Sequence, residues 1–144
     1  MKHIILQISL FILIGISINA QSDFAVNLEE EHSFLILPNK VIDYKEYVGA
    51  VTKYVWKYHA KDRLKINNIE IGGENDVLIQ ITQFRNQSHA MSFYNHMKRT
   101  FPDFMHMGMT KAYFPVSKSN FDEILRKEGV GEYEQFFETN ILTK

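Results

Sequence analysis

The string Met105-His106-Met107-Gly108-Met109 is the densest run of metal-competent side chains in the chain. Thioether and imidazole are soft ligands, and gathered in one loop they could hold Cu(I). His96 and Met97 precede the string on a helical stretch and could converge on it. Methionine is also an adaptable filler of apolar gaps, and a loop docking on a core uses it in that way. Copper tracts of this kind gather more ligands over a longer span. The string is therefore read as packing, with Met105, Met107 and Met109 kept as candidate partner contacts.

The remaining reactive residues form no constellation. His89 and His96 are close in angle on a helix but about 10 Å apart along its axis. That is too far to share one ion, so they read as boundary histidines in water. Hydrolysis by paired carboxylates needs acids that converge in a concavity. Glu29, Glu30 and Glu31 lie in a polar leader, while Asp122, Glu123, Glu128, Glu132, Glu134 and Glu138 decorate terminal helices. Ser33, Ser88, Ser92, Ser117 and Ser119 lack a nucleophile elbow and a matching His/Asp order. Gly72-Gly73 is a turn, because the Gly-x-x-x-x-Gly-Lys pattern of a phosphate loop is missing. Asn86-Gln87-Ser88 matches a glycosylation sequon only formally. The sequence assigns no catalytic residue, no metal and no cofactor.

Trp56 stands apart from these. It lies about 100° from Val55, off the apolar stripe of its helix. Such a tryptophan either packs under a neighbouring element, the commoner outcome, or anchors an interface. It joins the methionines as a candidate partner contact.

Composition narrows the classes further. The chain has 144 residues, 45% of them hydrophobic and 13% aromatic, no cysteine, and a formal net charge of -1. One domain with a real core fits that length. Absent cysteine excludes disulfide frameworks, zinc knuckles, thiol catalysis and a lipid-modified N-terminal Cys. Near-neutral charge leaves no basic excess for nucleic acid or an anionic membrane.

The first segment carries an address. Lys2 and His3 precede an apolar run from Ile4 to Ile18, and Ile18-Asn19-Ala20 ends in a small residue. This is the pattern of a secretory signal peptide over residues 1–20, cleaved after Ala20. The run is shorter than the roughly 20 residues that span a bilayer, and no second run of spanning length follows. The mature chain is expected to be exported and not inserted in a membrane.

The rest predicts an α+β domain over residues 32–142, behind a flexible acidic leader over 21–31. Phe34-Leu35-Ile36-Leu37 reads as a strand buried on both faces. Asp43 caps a helix to about Ala60 whose inner stripe is Tyr44, Tyr47, Val48, Val51, Val55 and Tyr58. Asn67–Ile71 and Val77–Thr82 form a hairpin around Gly72-Gly73-Glu74-Asn75. A second helix from Ser88 turns Ala90, Phe93, Tyr94, Met97 and Phe101 inward, and Pro102 follows its end. Ala112–Val116 is an edge strand, because Pro115 cannot donate to a ladder. Ser119-Asn120 opens a short helix, and a last helix carries Tyr133, Phe136, Phe137 and Ile141. The order β-α-β-β-α-β with two short C-terminal helices is ferredoxin-like. It places the first and third strands at the centre of the antiparallel sheet. Whatever apolar face the two main helices leave open must be covered by the terminal helices or by a partner.

Four strings are shared with a known family: His32-Ser33-Phe34-Leu35-Ile36; Gln83-Phe84-Arg85-Asn86-Gln87 with Ala90 and Tyr94; Val116-Ser117-Lys118-Ser119-Asn120-Phe121; and Tyr133-Glu134-Gln135-Phe136-Phe137. In these the chain resembles the C-terminal domain of PorW/SprE-type periplasmic tetratricopeptide lipoproteins, which belong to type IX secretion and gliding machinery of the Bacteroidota. The resemblance spans residues 31 to 142. The chain departs from that family in having no helical repeats and no lipobox cysteine, so it corresponds to a stand-alone secreted module. The resemblance implies an envelope or secretion-machinery protein as partner and supplies no catalytic residue. The expectation is a periplasmic, non-enzymatic protein-binding module. The alternatives are a peptidoglycan or glycan binder of the SPOR type using an open sheet face, a Cu(I) binder, and a dimeric α/β-barrel enzyme.

Overall fold

The computed structural model describes residues 22–40, 42–72 and 76–143. The expected signal segment, residues 1–20, lies outside them, as does most of the turn at 73–75.

A four-stranded antiparallel sheet is built from β1 (His32–Pro38), β2 (Lys65–Ile71), β3 (Asp76–Phe84) and β4 (Thr110–Ser117). The strand order is β2-β3-β1-β4, so the two most apolar strands are central. The α+β, ferredoxin-like expectation holds. Phe34 and Ile36 of β1 pair with Ile81 and Ile79 of β3, and all four point to one face and are fully buried. Two residues of β3, Thr82 and Gln83, oppose Ser33 alone, and this bulge holds Gln83 at φ 80°.

Helices α1 (Tyr44–His59) and α2 (Gln87–Thr100) cover that face. Asp43 accepts a hydrogen bond from the Glu46 amide at 3.1 Å, and Asn86 accepts one from His89 at 3.0 Å, so both helices start on side-chain caps. The inner stripe of α1 is Tyr47, Val51, Tyr54 and Val55, which adds Tyr54 and sheds the exposed Tyr58. Phe101 is likewise outside the core. It caps α2 at φ 42°, which turns its ring into solvent. The two helices run antiparallel and meet through rings, with Tyr54 and Phe93 at 6.0 Å and His59 and Phe93 at 4.6 Å, while Phe93 also packs on Phe34 of β1 at 4.8 Å.

The second face is also closed. Leu35, Leu78, Phe114 and Val116 lie there, each at 2% exposure or less. Chain continuity explains how. β4 runs directly into α3 (Lys118–Lys127), whose N-cap is Ser117, two residues earlier than the sequence suggests. Helix α3 packs on β1 and β4 with Ile124 buried beneath it. Its end reaches the β2–β3 turn, where a Cβ on Gly72 would sit 3.0 Å from the Glu128 carbonyl oxygen; Gly72 also holds φ +71°. Helix α4 (Gly131–Phe137) then wraps the β4 edge. Tyr133 and Phe137 stack on Phe114 at 5.2 and 6.1 Å, and the Tyr133 hydroxyl donates to the Pro115 carbonyl at 2.9 Å. Proline's missing donor therefore faces the outer edge, where no ladder needs it.

The leader, expected to be flexible over 21–31, is docked in its described part, residues 22–31. Phe24 is 6% exposed and packs on Tyr133 and Phe136 at 5.1 and 5.8 Å. The Asn120 amide accepts from Ala25 N at 3.0 Å and donates to Ala25 O at 2.7 Å. Glu30 accepts from the Ser119 amide and hydroxyl at 3.1 and 2.8 Å, and main-chain bonds join Glu31 to Lys118 and Leu28 to Gln87. These bonds satisfy first-turn amides of α3 and α2 that have no helical partner.

Candidate functional site

Most of the four family-like strings share one end of the sheet. His32 pairs with Phe84 on one side and Ser117 on the other. Beside them lie Asn86, Ser119 and Asn120, which cap helices or clasp the leader. His32 is 4% exposed and its Nδ1 hydrogen-bonds the Glu30 carbonyl at 2.8 Å. Burial lowers its pKa, so it is held neutral. This end is architecture: its polar groups are consumed by one another.

The methionines do not converge as a ligand set. Met105 and Met109 pack against the core, whereas Met107, at φ 53°, projects into solvent at 99% exposure. His106 stacks on Phe101 at 4.5 Å, and its Nε2 hydrogen-bonds the Phe101 carbonyl at 2.9 Å. Among the described residues no group of three His, Cys, Asp or Glu could hold a metal ion.

His89 keeps to the boundary. It lies edge-on to Phe84 at 5.2 Å, and its Nδ1 accepts from the Arg85 amide at 3.3 Å. His96 instead joins a cluster that sequence spacing did not reveal. Its ring lies 5.2 Å from His59 and 5.3 Å from Tyr58, and its Nδ1 is 2.8 Å from the Tyr54 hydroxyl. Burial, then the neighbouring His59 and Arg99, push the His96 pKa down. His59 donates from Nδ1 to Asp62 at 2.9 Å, which fixes its tautomer. Its other nitrogen, Nε2, is buried without a hydrogen-bond partner beside the Phe93 ring, 4.6 Å away. An Asp–His pair of this kind orients a base for a nucleophile. Among the described residues no hydroxyl hydrogen-bonds Nε2, and the pair ties the end of α1 to the turn that follows it.

Directly above this cluster the helix carries Trp56. It does not pack under the terminal helices, which lie on the opposite face of the sheet. At 75% exposure it is the second most exposed large hydrophobic side chain described, after Met107. It walls a cleft of about 330 Å³ formed with Val55, His59, Ala60, Arg63 and Leu64. The 3-10 turn Ala60–Asp62 creates this concavity by bending the chain from α1 into β2, and Arg63 completes the turn at φ 55°. Tyr58, also exposed, stands under the Lys57 ammonium at 4.8 Å. An apolar wall, an indole and neighbouring cations can bind a partner side chain.

Comparison of the chain with protein-family models, with curated proteins and with solved structures found no match in any of the three.

Proposed function

We propose that the chain is an exported, non-enzymatic protein-interaction module of the bacterial cell envelope, an accessory of secretion or gliding machinery that engages its partner through the cleft beside Trp56. The observation that carries this is Trp56 itself, left in water beside a concave wall by a fold that buries most of its other rings. Tryptophan is the side chain most often found as an interface anchor, because it offers a large rigid surface at little entropic cost. The signal-like residues 1–20 and the resemblance to the PorW/SprE-type module supply the envelope setting.

Affinity capture of the tagged chain from the envelope fraction tests the role. Recovery of an envelope protein by the wild-type chain, and its loss with Trp56→Ala, is the expected result. Recovery of none overturns the proposal.

The other readings each need a feature that is otherwise occupied. A SPOR-type peptidoglycan binder and a dimeric barrel enzyme both need an open sheet face, and α3 packs on that face over β1 and β4, with α4 on β4. Sedimentation with purified sacculi should leave the chain in the supernatant. A Cu(I) site needs convergent thioethers, and these point apart.

A further inference from the structure

We propose that the Trp56 cleft receives an acidic, extended segment of a partner protein, with an apolar side chain seated against the indole and carboxylates against the cations around it. This rests on the interaction role above and adds the chemistry of the partner.

The formal charge of -1 hides an uneven distribution. Some acids of the leader and terminal helices are engaged within the chain. Lys127 holds Asp23 at 2.8 Å and Glu132 at 2.7 Å, Arg126 holds Glu123 at 2.8 Å, and Glu30 caps α3. The basic residues around the cleft are not paired in this way. Lys53, Lys61, Arg63 and Lys65 are exposed and make no ion pair among the described residues, and Lys57 rests on a ring. The one acid between them, Asp62, is engaged by His59. Five basic residues, Lys53, Lys57, Lys61, Arg63 and Lys65, thus stand at the cleft with one engaged acid among them, although the net charge of the chain is negative.

Geometry joins that charge to the cleft. Helical spacing puts Lys53, Trp56, Lys57 and Ala60 on one side of α1. Arg63 lines the cleft itself, and Lys65 begins the edge strand β2. Four classes of anion could meet such a surface, and three fit poorly. A nucleic acid binds through a basic excess that the whole chain lacks. An anionic bilayer is flat and attracts polybasic clusters, whereas this surface is concave and belongs to a net acidic molecule. A second copy would have to offer acids on an extended segment, and its own acidic extended segment, the leader, is docked on α3 and α2. An acidic peptide segment needs none of these, and complementary charge would steer it to the cleft.

The test is selection of a displayed library of random short peptides on the purified chain, followed by titration of synthetic representatives. Two variants accompany it, Trp56→Ala and Arg63→Gly. The second removes the charge and is favoured by the backbone at φ 55°, so it should fold. Peptides enriched in Asp and Glu with an aromatic or aliphatic centre are expected. Their affinity should fall about tenfold or more in each variant and should weaken as salt shortens the screening length below about 10 Å. Enrichment without acidic bias, or binding undiminished in both variants, overturns the proposal. So does Arg63-dependent binding to phosphatidylglycerol vesicles that displaces the peptides, which assigns the surface to lipid. Self-association lost in the same variants assigns it to a second copy, again overturning it. If an envelope protein is captured while no Trp56-dependent acidic peptide emerges, this assignment fails and the interaction role stands.

Discussion

Replacing Phe24 by alanine separates a docked leader from a dispensable tail. The ring is 6% exposed and lies edge-on to Tyr133 at 5.1 Å and tilted on Phe136 at 5.8 Å. Removing it forfeits about 1.5–3 kcal/mol of burial and the ring contacts, worth about 0.5–1.5 kcal/mol beyond area. The site lies at the rim of the core, where neighbours can partly collapse into the gap, so the expected loss is about 3 kcal/mol. Against a typical total of about 5–15 kcal/mol this is a large share. For a domain of this size each kcal/mol is worth about 4 °C, so the melting temperature should fall by about 12 °C. Calorimetry reads that shift, and amide exchange adds a local measure: the Ala25 and Lys118 amides, held by Asn120 and Glu31, should lose protection with the leader. Leu28→Ala is the control, because Leu28 is 59% exposed and its truncation should stay within about 0.5 kcal/mol. A Phe24→Ala protein melting within about 2 °C of wild type would refute the docking and return the segment to a free tail.

Three further outcomes are expected. His32 and His96 are both pushed below their usual value of 6.5, chiefly by burial. Below that value the unfolded chain binds more protons than the folded one, so stability should be level above about pH 7 and decline as pH falls through about 6; a urea midpoint that holds or rises on acidification to about pH 5.5 contradicts this. Tyr133→Phe leaves the Pro115 carbonyl without its donor in a buried setting and should cost about 1–2 kcal/mol by urea denaturation, whereas an unchanged midpoint would mean that the hydroxyl is spare. Competition against a chromogenic Cu(I) chelator should reveal no stoichiometric site; a complex lost in the Met107→Leu, His106→Ala double variant would show that the loop rearranges to gather its thioethers.

Periodicity made much of this fold legible. The apolar runs Phe34–Leu37 and Val77–Thr82, the cap at Asp43 and the proline in β4 each carry a local signal, and each matches its place in the fold. The misses share a cause. Tyr58 and Phe101 continue an apolar stripe past the point where the helix still faces the sheet, and a stripe read from sequence does not say where its cover ends. The leader has no period at all. Its main contact, Ala25 with Asn120, spans 95 residues, and only an aromatic, Phe24, among polar neighbours hinted at it. The cleft was half visible. Spacing put Trp56 off the core stripe, but the concavity beside it comes from the turn at Ala60–Asp62 and the left-handed Arg63, neither of which has the glycine or asparagine that usually marks such a bend.

How the chain closes its second face decides what it can offer a partner. A split βαβ sheet places both long helices on one side, and the other must be covered to keep residues such as Leu35, Leu78 and Phe114 from water. Because Ser117 ends β4 and caps α3 at once, no connecting loop lets the chain leave the sheet, and α3 is returned across it. The leader then fastens α3 from outside through Asn120 and Ser119, and Tyr133 takes the free carbonyl of the β4 edge. The flat surface on which many four-stranded sheets bind their ligands is thus used up in folding. What stays available is the outer side of α1 and the edge of β2, and there the chain has placed its single tryptophan and a cluster of five basic residues. The proposed recognition is accordingly a matter of one helix end and one turn, where Trp56 and Arg63 can be replaced without loss of the fold.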